Sequence, residues 1–301
     1  MDMVVKKITS IKSIVEIKNE NPVILTWSGF IEGKKWSLLC GDAAAALKKI
    51  NKESVNCIIT SPPYYSLRDY GVKGQIGLEN TVTEYINSLC CVMDEAYRVL
   101  CKNGVLFLNL GDTYYSGKGK SHGADLKSHK RRFGLRPVDK SGGLGINIER
   151  KSIIGIPWRV AIEMIARKWV LRAPIIWHRD KALPESVKDR PARSYEYIFM
   201  FVKNRKYHFD KAPLIDKEVD EDVWTITPRP RGTEIETAPY PDELVERCID
   251  IGCPKDGIVL DPFVGSGTTI DVALKMGRSA IGIDINRDFF EYILKKIGYK
   301  S

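Results

Sequence analysis

A strand, a glycine-bearing turn and the start of a helix follow one another in the stretch Ile258-Val-Leu-Asp-Pro-Phe-Val-Gly-Ser-Gly-Thr-Thr269. Gly265 and Gly267 let the backbone approach a ligand closely, and the helix start presents free N–H groups to an anionic group. The stretch is not a Walker loop, because Gly267 is followed by Thr268 where that loop has Lys. It is not a G-x-G-x-x-G motif either, since position 270 is Ile. These features predict a nucleoside-binding turn.

The strand predicted after this turn ends at Asp284. A carboxylate at that place can accept hydrogen bonds from ribose hydroxyls, as it does in dinucleotide-binding folds. Taken alone, the turn could be a tight structural connection. Together with Asp284 it favours a ribose-containing cofactor whose identity stays open at this point.

Strand and helix patterns alternate on both sides of the turn, which predicts an α/β fold with a doubly wound, mainly parallel sheet. Two neighbouring strands with little helix between them predict an antiparallel pair at one edge of that sheet. Residues 1–34 fit no element, so we treat them as an N-terminal extension of a domain over residues 35–301. The predicted strands are 36–40, 55–60, 104–110, 170–177, 195–202, 258–260 and 280–283, and the helices are 43–50, 81–102, 158–168, 241–252 and 269–276.

The segment Thr60-Ser-Pro-Pro-Tyr64 directly follows one of the predicted strands. Two consecutive prolines fix the backbone and remove two N–H donors, which leaves carbonyl oxygens and the Ser61 hydroxyl as acceptors. A rigid pocket rich in acceptors suits a primary amine, and Tyr64 adds a flat face on which a base can stack. The string is also common in ordinary loops, so a purely structural role stays open.

The two motifs in this order resemble those of the beta class of DNA amino-methyltransferases, whose Rossmann-like fold is circularly permuted. The resemblance covers residues 36–292 and includes Gly41-Asp42, Ile156-Pro-Trp158, the run 183–190, Tyr195-Glu-Tyr197 and the block 240–247. It implies S-adenosylmethionine as cofactor. It also implies a catalytic tetrad and a set of cofactor contacts. The tetrad is Ser61, Pro62, Pro63 and Tyr64; the cofactor residues are Asp42, Thr237, Ala238, Pro239, Tyr240, Asp261, Pro262, Phe263, Gly265, Ser266, Gly267, Thr268 and Asp284.

In this class, Ser at the first tetrad position is associated with N4 of cytosine and Asp with N6 of adenine. The resemblance therefore implies site-specific methylation of a flipped-out cytosine, with Ser61 and the Pro62 carbonyl accepting the hydrogens of the amine. Asp284 departs from the Glu that is frequent in the class, which weakens the expected direct ribose contact. Adenine-N6 methylation, methylation of RNA or of a protein amide, and a catalytically idle nucleic-acid-binding module are the alternatives.

The chain of 301 residues has a formal charge of +9, and most of the excess lies in one segment. Residues 116–151 hold ten Lys and Arg against three acidic residues in a setting rich in Gly and Ser. We predict that 116–152 is a basic loop insertion that contacts double-stranded DNA through its phosphates. A second predicted DNA-facing stretch contains Arg190 and Arg193, which could read guanine edges or pair with nearby carboxylates. The predicted DNA-binding residues are Lys118, Lys120, Lys130, Arg131, Arg132, Arg190 and Arg193.

No apolar run approaches the length of a membrane span, and the N-terminus lacks a signal-peptide core, so we expect a soluble cytoplasmic protein. The seven cysteines include no C-x-x-C pair, which favours buried reduced thiols over disulfides or a metal site. We expect a monomer or homodimer, and a cognate restriction endonuclease is a partner that the resemblance suggests.

Overall fold

The structure is a computed structural model that describes residues 8–11, 15–16, 24–115, 145–181, 185, 187–228 and 239–298. Eleven strands in these ranges belong to one sheet. They are β1 (Ile8–Ile11), β2 (Val15–Glu16), β3 (Leu25–Ile31), β4 (Lys34–Cys40), β5 (Val55–Thr60), β6 (Leu100–Leu110), β7 (Val170–His178), β8 (Tyr195–Val202), β9 (Val223–Thr225), β10 (Ile258–Asp261) and β11 (Ser279–Asp284). Their order is β1-β3-β4-β11-β10-β5-β6-β8-β7-β9, with β2 paired to β3.

The centre of the sheet is parallel, as the alternating pattern predicted. β4, β11, β10, β5 and β6 run in the same direction, so their carboxyl ends lie along one edge. Residues 57–59 of β5 point alternately to the two faces and all are buried. A strand that is covered on both faces has to be apolar throughout, which explains the continuous hydrophobic runs in the sequence. Full burial of one such side chain stabilises the fold by roughly 1.5–3 kcal/mol.

Seven helices in the described ranges cover the two faces. α1 (Ala43–Leu47), α2 (Val82–Val99) and α3 (Ile156–Ala166) share one core, which includes Leu89 and Met93. α5 (Asp242–Gly252), α6 (Thr268–Lys275) and α7 (Asp288–Lys296) share the other, with α4 (Ala212–Asp216) packed beside them. None of the described helices combines the length and apolar character that crossing a membrane requires.

The junction of α2 and β6 differs from the prediction, which continued this helix to residue 102 and began the next strand at residue 104. α2 ends at Val99 and β6 begins at Leu100, which pairs with Val55 of β5. Gly104 lies within β6, where a Cβ atom would come 2.6 Å from Cδ1 of Leu100. The role of this glycine is to allow close packing inside the strand.

The predicted antiparallel pair is confirmed as β7 and β8, but it is not the outermost part of the sheet. The three-residue strand β9 pairs with β7 in parallel and lies outside it. Its central residue, Trp224, is completely buried, and this burial anchors a strand too short to show a pattern in the sequence.

The N-terminal extension contributes strands to the same sheet. β3 pairs antiparallel with β4 along its whole length. Glu32 and Gly33 join the two strands with φ values of 49° and 77°. Two consecutive residues with positive φ are typical of the hairpin turn that matches the twist of the sheet. The segment over 1–34 is therefore continuous with the sheet in the part that the structure describes.

Each of the seven cysteines is a free thiol, and Cys40, Cys57, Cys90, Cys248 and Cys253 are buried. Within the described ranges, no group of three or more His, Cys, Asp or Glu is arranged to hold a metal ion. The five buried thiols thus belong to the packed interior, whereas Cys91 is exposed and Cys101 is partly exposed.

Candidate active site

Hydrogen bonds join the loops at the carboxyl ends of the parallel strands. The N–H of Gly41, after β4, donates to the carbonyl of Asp284 at the end of β11 (2.9 Å). The Thr60 hydroxyl at the end of β5 donates to Oδ1 of Asp261 at the end of β10 (2.7 Å), 201 positions further along the chain. The Ser-Pro-Pro-Tyr loop and the glycine-bearing turn are therefore neighbours at one sheet edge.

The carboxylate of Asp261 is the node of this junction. Besides Thr60, it accepts hydrogen bonds from the Thr269 hydroxyl (2.6 Å), the Tyr240 hydroxyl (2.9 Å) and the N–H of Phe263 (3.0 Å). Burial raises the pKa of Asp261 above its usual value, and these four donors act in the opposite direction. Both oxygens are engaged by the protein, so Asp261 fixes the geometry of the site.

The two glycines of the turn meet different surroundings, although both have positive φ. Around Gly265, with φ of 48°, a Cβ atom would meet no other atom within 4 Å. At Gly267, with φ of 77°, it would lie 2.7 Å from Cγ1 of Ile293 in α7. The sequence interpretation assigned both glycines to the approach of a ligand. Only Gly265 borders open space, and Gly267 is required for the packing of α7.

The hydroxyl oxygens of Ser266 and Thr268 are buried and have no hydrogen-bond partner among the residues that the structure describes. They stand at the start of α6, which has no side-chain cap within the same ranges, and the first N–H groups of any helix lack an intrahelical partner. A buried hydroxyl without a partner costs free energy that a polar ligand could recover. Pro262 beside them is buried and Phe263 is half-buried. This end of the site fits the polar or anionic end of a ligand.

Two carboxylates lie on the neighbouring strand ends. Asp284 accepts hydrogen bonds from the N–H groups of Gly265 (2.9 Å) and Asn286 (2.9 Å), and burial raises its pKa to about 6. Asp42 follows β4 and caps α1 by accepting from the N–H of Ala45 (2.9 Å). Both side chains are half-buried and keep lone pairs that could accept from a ligand.

The block predicted to line the cofactor pocket is described only in part. Tyr240 is buried, and its hydroxyl contacts both Asp261 and Thr269. Pro239 is half-buried beside it. Thr237 and Ala238 lie outside the described residues.

The carbonyls of the tetrad loop divide into engaged and free acceptors. The Pro63 carbonyl accepts a hydrogen bond from the Tyr85 hydroxyl of α2 (2.9 Å), and that of Tyr64 accepts from the N–H of Leu67 (3.2 Å). Among the residues that the structure describes, none donates to the Pro62 carbonyl. The loop therefore offers the Pro62 carbonyl and the Ser61 hydroxyl as its two available acceptors.

The Tyr64 hydroxyl is part of a buried polar network. It lies 2.7 Å from Oε2 of Glu196 and 3.2 Å from Oδ1 of Asn109, and Ser61 Oγ lies 3.4 Å away. Arg179 pairs with the other oxygen of Glu196 (3.1 Å). Burial and the adjacent Glu196 raise the pKa of Tyr64 well above its ordinary value, so the phenol stays protonated.

Sequence reasoning missed Asn109, Glu196 and Arg179. The signal for Asn109 was an amide inside the buried and otherwise apolar run 105–110 of β6. Glu196 is one buried acidic residue in an aromatic strand, β8. A polar residue in a buried run needs a partner, and this need could have singled both out.

A small pocket lies beside the tetrad loop, and one side of the Tyr64 ring packs against the backbone of Gly111. A Cβ atom at Gly111 would come 2.6 Å from Cε2 of that ring. Asp112 next to it was also missed; its Oδ1 accepts from the N–H groups of Gly155 (3.1 Å) and Ile156 (3.2 Å) at the start of α3. The pocket is lined by Tyr64, Tyr65, Leu67, Gly111, Asp112, Thr113 and Ile156.

The arginines of the second predicted DNA-facing stretch are engaged within the protein. Arg190 pairs with Glu185 (2.6 Å), and its guanidinium lies 3.7 Å from the centre of the Tyr114 ring. Arg193 is only 8% exposed and donates through Nη2 to the carbonyl of Asp112. For Arg190 the pairing with a carboxylate, considered as the alternative to base reading, is the arrangement observed. Lys118, Lys120, Lys130, Arg131 and Arg132 lie outside the described residues.

Solved structures of known proteins share this architecture. The PvuII DNA methyltransferase (cytosine-N4-specific) superposes with a TM-score of 0.66 at 18% identity, covering 87% of this chain and 86% of that one. TTHA0409 from Thermus thermophilus, complexed with S-adenosyl-L-methionine, gives a TM-score of 0.57 at 23% identity, covering 86% of this chain and 94% of that one. Identities this low establish the common fold.

Curated relatives are closer in sequence. The Type II methyltransferase M.Cfr9I of Citrobacter freundii is 36% identical over 97% of this chain and 95% of its own length. M.XycI of Xanthomonas campestris pv. cyanopsidis, also a Type II methyltransferase, is 38% identical over 92% of this chain and 89% of its own length. The N6_N4_Mtase family of DNA methylases matches residues 55–295, which include both loops of the site. The chain belongs to this family of DNA methylases.

Proposed function

We propose that this protein is a site-specific DNA methyltransferase that moves a methyl group from S-adenosylmethionine to the exocyclic N4 amine of cytosine. We further propose that it serves a restriction–modification system, because its full-length relatives are Type II methyltransferases. The observation that carries the proposal is the Thr60–Asp261 hydrogen bond of 2.7 Å, which holds the amine-accepting loop against the glycine-bearing turn.

The residues around the turn fit S-adenosylmethionine. Open space at Gly265 would admit the cofactor, and the unpartnered hydroxyls of Ser266 and Thr268 would receive the carboxylate of its methionine part. Asp284 would accept from the ribose, and Asp42 would lie near the adenine. When bound, this group supplies a sulfonium-linked methyl, which is a strong electrophile. TTHA0409, solved in complex with that ligand, has the same fold.

The chain's own contribution is to prepare a weak nucleophile. An exocyclic amine delocalises its lone pair into the ring of the base. Accepting its two hydrogens with Ser61 Oγ and the Pro62 carbonyl would localise that lone pair on nitrogen, facing the cofactor loop. Pro62 is favoured over Pro63 for this part, because the Pro63 carbonyl already accepts a hydrogen bond from Tyr85. No covalent intermediate with the enzyme is needed.

A base within a duplex cannot reach this edge of the sheet, so the target nucleotide must leave the stack. We propose that it enters the pocket beside the tetrad loop and lies against the Tyr64 ring. The basic segment 116–152 would hold the flanking phosphates. The protein engagement of Arg190 and Arg193 moves the expected DNA contact toward that segment.

The choice of cytosine over adenine rests on Ser61 at the first tetrad position. The family includes enzymes of both types, so the test is direct identification of the product. Duplex DNA treated with the enzyme and methyl-labelled S-adenosylmethionine should yield labelled N4-methyldeoxycytidine in nucleoside mass analysis, and Ser61→Ala should yield none while still binding the cofactor. Labelled N6-methyldeoxyadenosine would replace our assignment with the adenine alternative. Absence of both cofactor binding and product would revive an idle nucleic-acid-binding module.

A further inference from the structure

A chain of polar contacts runs from Ser61 into the interior of the sheet. Ser61 Oγ contacts the Tyr64 hydroxyl at 3.4 Å, and this hydroxyl contacts Oε2 of Glu196 at 2.7 Å. Arg179 Nη1 donates to Oε1 of the same carboxylate at 3.1 Å. Glu196 lies on β8 and is buried, so its contacts are not exchanged with bulk water.

The donor and acceptor roles of these groups fix the direction of the hydrogen bonds between them. Asn109 Nδ2 donates to the Tyr197 carbonyl (3.1 Å) and to Glu196 (3.2 Å), which turns its Oδ1 toward Tyr64. Both interior neighbours of the Tyr64 hydroxyl, the Glu196 carboxylate and Asn109 Oδ1, are therefore acceptors only. The single phenolic proton must point toward them. The Tyr64 oxygen is then left to accept the proton of Ser61.

We propose that Glu196 and Asn109 are positioning residues that fix the direction of the Ser61 hydroxyl proton. With that proton committed to Tyr64, both lone pairs of Ser61 Oγ are available to the hydrogens of the target amine. If the direction were reversed, Ser61 would receive a proton from Tyr64 and present its own proton to the amine. This inference rests on the proposed function, since it assigns Ser61 the role of acceptor.

The variant Glu196→Gln tests the direction of the hydrogen bonds that run from Ser61 through Tyr64 to Glu196. Arg179 offers only donors, so the oxygen of the new amide turns toward it and the NH₂ group faces Tyr64. The Tyr64 oxygen then accepts a hydrogen bond from this NH₂ group in competition with Ser61, and Asn109 Oδ1 is left as the interior acceptor of the phenolic proton. The Ser61 proton is therefore no longer committed to Tyr64. We expect kcat to fall about 10²-fold, with the KM for DNA and the affinity for S-adenosylmethionine unchanged. Glu163→Gln is the matched control, because it removes a carboxylate from a surface ion pair with Arg167 and should keep the wild-type kcat.

Tyr64→Phe supplies the second measurement, because it removes the hydroxyl that links Ser61 to Glu196 while it keeps the aromatic ring. In the Tyr64→Phe background, Glu196→Gln should cause little further loss of kcat, since no phenolic proton remains to be directed. Additive losses in the double variant, or a wild-type kcat in a folded Glu196→Gln protein, would overturn the proposal. Variants are compared with wild type on whichever base the wild type methylates, so a wrong base assignment does not affect this test. Thermal unfolding of each variant shows whether a loss reflects misfolding.

Discussion

Gly265 and Gly267 stand two positions apart and share a left-handed backbone. An added methyl group should nevertheless weaken cofactor binding at the first position and lower stability at the second. Gly265→Ala should keep most of the stability but weaken S-adenosylmethionine binding, because the new Cβ enters the open space assigned to the cofactor. Gly267→Ala should lower the free energy of unfolding by about 1–3 kcal/mol, because it presses on Ile293. Urea unfolding and calorimetric titration with the cofactor measure the two effects.

A second change separates packing from binding at this turn. Ile293→Ala should cost less stability in the Gly267→Ala background than in the wild type, since it removes Cγ1 and Cγ2, which lie 2.7 and 3.1 Å from the position of the new methyl group. The same replacement should do nothing for the cofactor affinity of Gly265→Ala. If both glycine variants lost cofactor affinity equally while remaining stable, the distinction drawn between them would be wrong.

Asp284 predicts a pH dependence of cofactor binding, because burial raises its pKa to about 6. In the proposed complex the ribose hydroxyls would donate to the ionised carboxylate, so affinity should be constant above that pH and fall as pH drops through it. Protonation is more favourable for Asp284 in the folded than in the unfolded chain, so its contribution to stability should move in the opposite direction, increasing as pH falls.

Calorimetric titrations between about pH 5 and 8 measure this profile. Asp284→Asn should bind more weakly and lose most of the pH dependence, whereas Asp288→Asn, which removes an exposed carboxylate at the start of α7, should retain it. A pH profile unchanged in Asp284→Asn would assign the dependence to another group, of which the buried Asp261 is the nearest.

At the scale of elements, the sequence predicted the parallel strands, the two motif loops and most helices, because each carries a local period or a local turn. The polar contacts that link Ser61 to Glu196 could not be predicted in the same way. Asn109 and Glu196 are 87 positions apart and meet only because β6 and β8 are neighbours, a pairing that no local pattern encodes. The predicted end of α2 was wrong for a related reason, since pairing with β5 overrides the helical pattern at Leu100.

The start of α2 offers an element-scale test of stability. Thr81 accepts from the N–H of Glu84, whose side chain accepts from the N–H of Thr81, so a complete capping box opens the helix. Thr81→Ala should lower the free energy of unfolding by about 1 kcal/mol. Thr83→Ala, an exposed change in the same turn, is the control and should be nearly neutral. Equal unfolding midpoints for the two variants would show that the capping box does not stabilise the fold.

For the whole molecule, charge predicts how DNA is held. If residues 116–152 contact phosphates, replacing Lys130, Arg131 and Arg132 with Gln should weaken binding and flatten the slope of log affinity against log salt by up to about 3 units. Cofactor affinity should stay unchanged. A charge-matched control replaces Lys52, Lys102 and Lys255, exposed near the amino ends of β5, β6 and β10, the sheet edge opposite the site. The same slope in both triple variants would remove the basic segment from the DNA interface.

The strand order has a consequence for how this enzyme comes into being on the ribosome. β10 and β11 follow the other nine described strands in the chain, yet they occupy the middle of the sheet between β4 and β5. A nascent chain that has already emerged as far as β9 holds two half-sheets with unpaired inner edges, and such edges are prone to aggregation. Synthesis of β10 and β11 fills this gap and brings Asp261 to Thr60. A chain that stops short of β10 lacks the carboxylate that holds the Ser-Pro-Pro-Tyr loop, so we expect methyl transfer only after nearly all of the sheet has been made.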